Sequence, residues 1–327
     1  MLAAWYGRNG PARDVLEVGE MPAPEPALGE VRVRLETSGV NPSDVKSRAG
    51  SRPVKQGVIV PHSDGAGVID RIGVHVDPSR LGERVWIWNG QWQRPNGTAA
   101  SFITVPSDQA VTLPDDVSFE AGACLGIPAL TAAHAVEKLG EIAGKTVLVV
   151  GAASGVGFYA AQMARARGAR VLATVGSAEK AQVLARLGMT DVIDYKRESV
   201  AGRVLAMTDG KGADGIVDMD FSTSAPLVSA GALAPHSVFV CYGSNFRGDV
   251  PLEFAAWMPR SISLYFFLVY DLTPAQRVRA IDFVQSLITA GQLEHLVGAT
   301  YPLHEIAAAH EAVESGRVLG NVVIRLN

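Results

Sequence analysis

Over residues 31–35, Val31-Arg32-Val33-Arg34-Leu35, apolar and polar side chains alternate, as in a strand with one buried and one wet face. Short apolar runs follow at Val68-Ile69-Asp70-Arg71-Ile72 and Arg84-Val85-Trp86-Ile87-Trp88, set between Gly and Pro signals. That spacing predicts a compact, barrel-like β region. Pro22, Pro24 and Pro26 mark an extended connector, because proline fixes φ and lacks the N–H a helix needs. Near residue 118 the pattern changes. Residues 118–138 are Ala-rich and read as helix interrupted at Gly126 and Pro128. Residues 145–150 form a nearly unbroken apolar strand, the pattern of a parallel sheet covered on both faces. A helix over 157–168, a strand over 170–175, a helix over 178–187 and strands at 191–194, 215–218 and 237–241 follow. This alternation predicts a doubly wound α/β domain. A long helix over 274–290, a helical stretch over 303–315 and a strand over 321–326 complete the pattern, with no internal repeat or low-complexity segment.

With 327 residues, the chain exceeds the about 250–300 that one core sustains, so two domains are expected. Hydrophobic residues at 48% and charged residues at 19% suit a soluble protein able to hold a buried ligand cleft. A formal charge of −4 gives no sign of a nucleic-acid or anionic-membrane partner. The two cysteines, Cys124 and Cys241, are too few for a disulfide framework or a four-cysteine zinc lobe. They read as small buried hydrophobes in a reducing compartment. The first residues lack a basic stretch followed by a long apolar run, and the apolar run at 264–269 is far shorter than the about 20 residues that span a bilayer. A cytoplasmic protein is expected.

The strongest motif is Val149-Val150-Gly151-Ala152-Ala153-Ser154-Gly155-Val156-Gly157. It follows a buried strand and opens a helix, the context a dinucleotide fingerprint requires. Glycine lets the backbone turn sharply and approach a pyrophosphate, while the helix N-terminus offers free N–H groups and partial positive charge. The spacing departs from G-x-G-x-x-G. The end of the next strand decides which dinucleotide fits. NAD-binding domains place Asp or Glu there to hold the ribose 2′-hydroxyl. Here Val175 leads into Gly176 and Ser177, with Lys180 one turn later and Tyr195 after the following strand. A hydroxyl and a lysine at this place favour a 2′-phosphate, hence NADPH, although Glu179 lies close by.

These motifs, with Gly39-Val40-Asn41-Pro42, Pro61-His62-Ser63-Asp64-Gly65-Ala66-Gly67, Gly82-Glu83-Arg84-Val85, Gly126-Ile127-Pro128, Ala173-Thr174-Val175-Gly176-Ser177 and Tyr301-Pro302-Leu303, resemble the medium-chain dehydrogenase/reductase superfamily in its zinc-free, zeta-crystallin-like quinone oxidoreductase branch. The resemblance runs nearly end to end. It implies a GroES-like, β-rich substrate domain over 1–122 and 266–327, a Rossmann domain with a doubly wound parallel sheet over 123–265, and an active site in the cleft between them. Zinc-dependent relatives carry a Cys ligand near Asn41, a His where this chain has Ser63, and another Cys near Gly126. His62 precedes the ligand position, and residues 87–97 hold no cysteine. A catalytic zinc needs three protein ligands, so no metal is expected. Hydride transfer to a quinone or an enone tolerates this, because the new charge spreads through conjugation and catalysis is mostly positioning.

The resemblance further implies that Asn41, Thr131, Phe267 and Leu268 hold the nicotinamide end. Ala153, Ser154, Gly155 and Val156 would hold the pyrophosphate, and Gly176, Ser177, Lys180 and Tyr195 the adenosine end. Ser222, Tyr242, Gly243, Ser244 and Asn245 follow strands whose C-terminal ends face the cofactor, and Asn321 stands where relatives often carry Lys. Lys46 replaces a Tyr that commonly lines this cleft, a feature shared with enone reductases. It is read as a contact to phosphate or ribose, as a group polarising a substrate carbonyl, or as a surface lysine. Asn41 is read as a donor to the acceptor oxygen or as a turn former before Pro42. His134, His236, His304 and His310 lack metal spacing and read as helix or loop residues. The expected function is hydride transfer from NADPH to a quinone, with an enone reductase as the alternative. A non-catalytic NADPH-binding role, structural or RNA-binding, is a further class, which the absence of a basic, aromatic-interleaved stripe disfavours. The apolar segment 261–269 is expected to be a sheet edge covered by a second subunit in a homodimer.

Overall fold

The computed structural model describes residues 1–326. In chain order its main elements are β1 (Leu2–Trp5), β2 (Glu17–Glu20), β3 (Glu30–Val40), α1 (Pro42–Lys46), β4 (Asp64–Ile72), β5 (Arg84–Ile87), β6 (Phe102–Pro106), β7 (Ala110–Thr112) and α2 (Leu130–Lys138). They continue with β8 (Thr146–Val149), α3 (Gly155–Ala166), β9 (Arg170–Val175), α4 (Ala178–Arg186), β10 (Val192–Asp194), α5 (Val200–Met207), β11 (Ala213–Asp218), β12 (Leu233–Cys241) and β13 (Ser263–Phe266). The last are α6 (Pro274–Thr289), β14 (Val297–Pro302), α7 (Ile306–Ser315) and β15 (Asn321–Arg325). The chain forms two compact units, Met1–Pro128 joined by the segment from His295 onward, and Ala129–Glu294.

The return to the first unit thus falls at 294/295, not at the 265/266 that the sequence suggests, and the entry at 128/129, not 122/123. Side-chain bonding within the second unit explains the later return. Arg279 on α6 binds Glu137 on α2 at 2.5 Å. Gln162 on α3 clasps the Glu294 backbone, accepting its N–H at 2.8 Å and donating to its carbonyl at 3.1 Å. Amphipathicity marked α6 as a helix, but these partners lie more than a hundred residues back in the chain.

In the first unit the strands run β14-β15-β3-β4-β5-β7, with β6 also on β3. β3 is long enough to serve two neighbours along one edge. Its first half pairs with β6 and its second half with β15, both antiparallel, while β4 takes the other edge. Val31, Val33 and Leu35 point into a core with Ile69, Val85, Ile87, Ile103 and Val105, as their alternation requires. The intervening Arg32 is also buried, because it makes a two-pronged pair with Asp70 (3.0 and 2.7 Å) and lies over the Phe102 ring. A second cluster joins both chain ends through Ala3, Ala4, Val40, Leu303, Ile306 and Ile324.

In the second unit six strands run β10-β9-β8-β11-β12-β13, every pair parallel. The chain builds outward from β8 to β10, then returns to continue from β11 to β13. The order therefore reverses between β8 and β11, and sheets of this kind bind ligands outside the strand C-termini at such a switch point. Leu148, Leu172, Ile193, Ile216 and Phe239 fill one face. Phe221 meets Phe239 and Phe266 edge-on, at 5.5 and 4.9 Å between ring centres.

Trp86, fully buried in β5, offers a test of the first unit's core. Trp86→Ala is expected to lower the unfolding free energy by about 3–5 kcal/mol, read by urea denaturation followed by far-UV circular dichroism. A loss below about 1 kcal/mol, the size of an ordinary surface change, would refute this packing.

Candidate active site

In the second unit the expected residues gather along the C-terminal edge of the parallel sheet. After β8 the chain turns through Gly151 at φ +69°, a left-handed conformation suited to glycine. The Gly151 N–H donates to the Thr174 hydroxyl at 2.9 Å, and Ala152 N–H to the Thr174 carbonyl at 3.1 Å, tying the loop to β9. Ser154 caps α3, its hydroxyl accepting the Gly157 N–H at 3.2 Å. That leaves the N–H groups of Gly155 and Val156, which by position have no acceptor within the helix, at the positive end of a twelve-residue helix. A methyl at Gly157 would lie 2.2 Å from the Gly151 carbonyl oxygen, so only glycine lets helix and turn approach this closely. Ala153 is buried beneath the turn.

β9 ends at Gly176 and Ser177. Ser177 caps α4 by accepting the Lys180 N–H at 3.3 Å, and the Lys180 side chain is half-buried. A methyl at Gly176 would stand 2.6 Å from the Tyr195 hydroxyl, so the phenol that follows β10 lies directly over this turn. Together they form a cradle that any side chain at 176 would fill. β11 and β12 lead into Ser222 and into Tyr242-Gly243-Ser244-Asn245. These loops are joined by Asp220, which accepts from the Ser222 hydroxyl at 2.6 Å and from the Asn245 backbone and side chain, both at 2.9 Å. Burial pushes the Asp220 carboxyl up, but these bonds together hold it below its ordinary value. With its hydrogen directed at Asp220, the Ser222 hydroxyl can otherwise only accept, as can that of Ser244, which donates to the Phe246 carbonyl at 2.6 Å. Phe267, just past β13, meets His134 of α2 edge-on at 4.8 Å. Thr131 lies three residues before His134, on the same face of that helix. Leu268 is 49% exposed.

The first unit holds Asn41, Lys46 and Asn321. Asn41 is buried and precedes α1. Its N–H donates to Asp44 and its side-chain amide to Asp64, both at 2.8 Å. Asn41 thus shapes the turn, and Asp64 orients its amide. Room for the Asp64 carboxylate comes from a glycine: a methyl at Gly126 would lie 2.2 Å from its Oδ1. Lys46 is exposed at the end of α1. Asn321 gives its amide to the Leu296 carbonyl at 3.2 Å, at the start of β15. Cys124 is buried, and desolvation, reinforced by the charges of Asp64 and Glu120, keeps its thiol protonated.

Residues 27–115 match the model of the alcohol dehydrogenase GroES-like domain, and residues 155–286 that of the zinc-binding dehydrogenases. A quinone oxidoreductase of Pseudomonas aeruginosa is 32% identical over 98% of this chain and 97% of its own length. The chain belongs to the quinone oxidoreductase family of the medium-chain dehydrogenases/reductases. Among solved structures, an NAD-dependent alcohol dehydrogenase superposes with a TM-score of 0.87 at 30% identity. The Escherichia coli quinone oxidoreductase, solved with NADPH, superposes with 0.85 at 25%, and both cover each chain fully. No group of three His, Cys, Asp or Glu suited to a metal occurs among the described residues.

Three acidic residues that hold candidate residues in place, Asp44 and Asp64 in the first unit and Asp220 in the second, escaped the sequence reading. Asp64 was visible only as part of a short motif, and nothing local marks a carboxylate that orients an amide 23 residues earlier in the chain. Asp44 has a consequence for stability. Burial, opposed by hydrogen bonds from Asn41 and the charge of Arg52, pushes its pKa from 3.8 up to about 7. The folded chain therefore holds this proton after the unfolded chain has lost it, and Asp44 loses stabilising effect as pH rises between those values. The unfolding free energy of the native protein relative to Asp44→Asn is expected to fall across that window and level off above about 7. Urea titrations at several pH values would show it, and a constant difference would refute the assignment.

Proposed function

We propose that this protein is an NADPH-dependent oxidoreductase that passes hydride to a quinone without a metal. The observation that carries the reading is the row of binding elements along the C-terminal edge of the parallel sheet. The free first-turn N–H groups of α3 suit a pyrophosphate, and Gly176, Ser177 and Lys180 stand where an NAD-binding chain would carry a carboxylate. The full-length likeness to a quinone oxidoreductase supports it.

When bound, NADPH supplies the hydride. Gly155 and Val156 hold the pyrophosphate through their N–H groups, with Ala153 and Ser154 shaping the turn. Ser177 and Lys180 bind the 2′-phosphate, and Tyr195 covers the adenosine beside Gly176. Ser222, Tyr242, Gly243 and Ser244 bound the site through the loops that Asp220 ties together. Thr131, Phe267 and Leu268 are the nicotinamide residues of the second unit. Asn41 directs its remaining amide hydrogen to the acceptor oxygen, and Lys46 meets a phosphate or the substrate carbonyl. A quinone spreads the incoming charge over two oxygens, so the proton comes from water and no acid residue is required. The buried free thiols of Cys124 and Cys241 fit a reducing, cytoplasmic setting.

Cofactor oxidation, with NADPH and NADH each offered with a 1,4-quinone and a cyclic enone, is the deciding assay. NADPH with the quinone is expected to turn over fastest. Turnover with the enone alone would move the assignment to enone reduction, and tight NADPH binding without turnover would point to a non-catalytic role. Lys180→Ala is expected to raise the KM for NADPH roughly tenfold, the low end for a charge-assisted hydrogen bond, and to leave NADH unaffected. An equal effect on both cofactors would remove Lys180 from the phosphate site.

Among the described residues β13 pairs on one side only, and it exposes Tyr265 and Phe266. An apolar, half-paired edge of this kind is covered in stable proteins, and we infer a homodimer that joins two β13 edges. Sedimentation at micromolar concentration is expected to give the dimer mass, and a monomer would refute the inference.

A further inference from the structure

Behind Asp64, in the first unit, lies a buried polar chain that the function above does not use. The Thr98 hydroxyl donates to the Asp64 carbonyl at 2.5 Å. Ser38 Oγ stands 2.8 Å from Thr98 Oγ1 and 2.9 Å from His62 Nδ1. His62 Nε2 faces His310 Nε2 at 3.0 Å. The two rings lie 25° apart in plane with centres 5.1 Å apart. A centre separation so much larger than the N···N distance sets the nitrogens head to head, as a hydrogen bond in the ring plane requires. Ser38, His62, Thr98 and His310 are all buried to 1% exposure or less.

Counting protons along this chain leaves one arrangement. Thr98 has a single hydroxyl hydrogen, which goes to the Asp64 carbonyl, so Ser38 must donate to Thr98. Ser38 then has no hydrogen left for His62 and must accept, so His62 carries its proton on Nδ1. A neutral His62 is bare at Nε2, and His310 must donate there from its own Nε2. His310 Nδ1 is then the bare acceptor, and that buried atom has no hydrogen-bond partner among the described residues. Burial holds both imidazoles neutral: it carries His62 well below its ordinary value, with His310 adding to the effect, and lowers His310 to about 3, with help from the Arg48 charge. Arg48, which also binds Glu314 of α7, therefore opposes any second proton on the pair.

We propose that His62 and His310 are positioning residues: a neutral, proton-ordered pair whose single polarity runs from α7 through His62, Ser38 and Thr98 to Asp64, and so fixes the residue that orients the Asn41 amide. The functional half of this proposal rests on the reading of Asn41 given above, but the proton order does not. The ring of His310 thereby couples a helix near the chain's end to the turn that carries Asn41.

Nitrogen-15 spectra of the imidazoles in the intact protein, assigned with single-histidine variants, read the tautomers directly. The expected result is a proton on Nδ1 of His62 and on Nε2 of His310. A proton on Nε2 of His62, or a charged ring in the pair at neutral pH, would overturn the order. His310→Leu removes the donor and is expected to lower kcat roughly tenfold with the KM for NADPH little changed. His310→Gln, which offers an N–H at the same place, restores kcat. A His310→Leu variant that keeps full kcat while Asn41→Ala loses it would overturn the positioning role and leave the site reading intact. An Asn41→Ala variant that keeps full kcat would overturn the role of Asn41 instead, and with it the functional half of the proposal, while the spectra still decide the tautomers.

Discussion

The contact on which the second unit's chemistry depends is the one between Gly157 and the carbonyl of Gly151. A methyl group at 157 would sit 2.2 Å from that oxygen, closer than any carbon can approach. Because glycine stands there, the turn over residues 150–154 folds tightly enough to start α3 at Gly155, just past the end of β8. Helix polarity and unsatisfied donors then coincide at one point. The loops after the other strands take their places from the same parallel sheet, since each strand of a doubly wound fold delivers its following loop to the same side.

Acidic side chains hold polar groups in place within each unit. Asp220 gathers donors from two loops, and Asp64 and Asp44 hold the Asn41 amide and backbone between them. Asp64 and Asp220 take hydrogens from their amide and hydroxyl partners, and the orientation of each partner is settled by that demand. The Ser222 and Ser244 hydroxyl hydrogens are likewise committed, to Asp220 and to the Phe246 carbonyl. Such preorganisation suits a reaction in which the enzyme mainly positions two reactants, because no group has to turn when charge develops.

Much of the architecture was legible in the order of residues. The β9 strand, at Arg170–Val175, coincides with its apolar run, and α4 and α6 differ from their predicted spans only at their last residues, because periodicity and capping are local signals. The α3 helix starts two residues before the expected one, because Ser154 caps it. The interruption expected at Gly126 and Pro128 is a distorted turn between two short helices, in keeping with a proline that removes a backbone donor.

What the sequence by itself determined was the class of the strongly patterned elements, the dinucleotide loop and the Gly176-Ser177 pair that follows β9, because each is written within a few neighbouring positions. Only the tertiary structure decided which polar residues act together. His310 looked like an ordinary helix residue until the fold set its ring against His62, 248 positions earlier. The unit boundary at 294/295 came likewise from a clasp between Gln162 and Glu294. Hydrogen bonds of this reach depend on where folding brings two side chains, and nothing in the local pattern of either residue encodes the other.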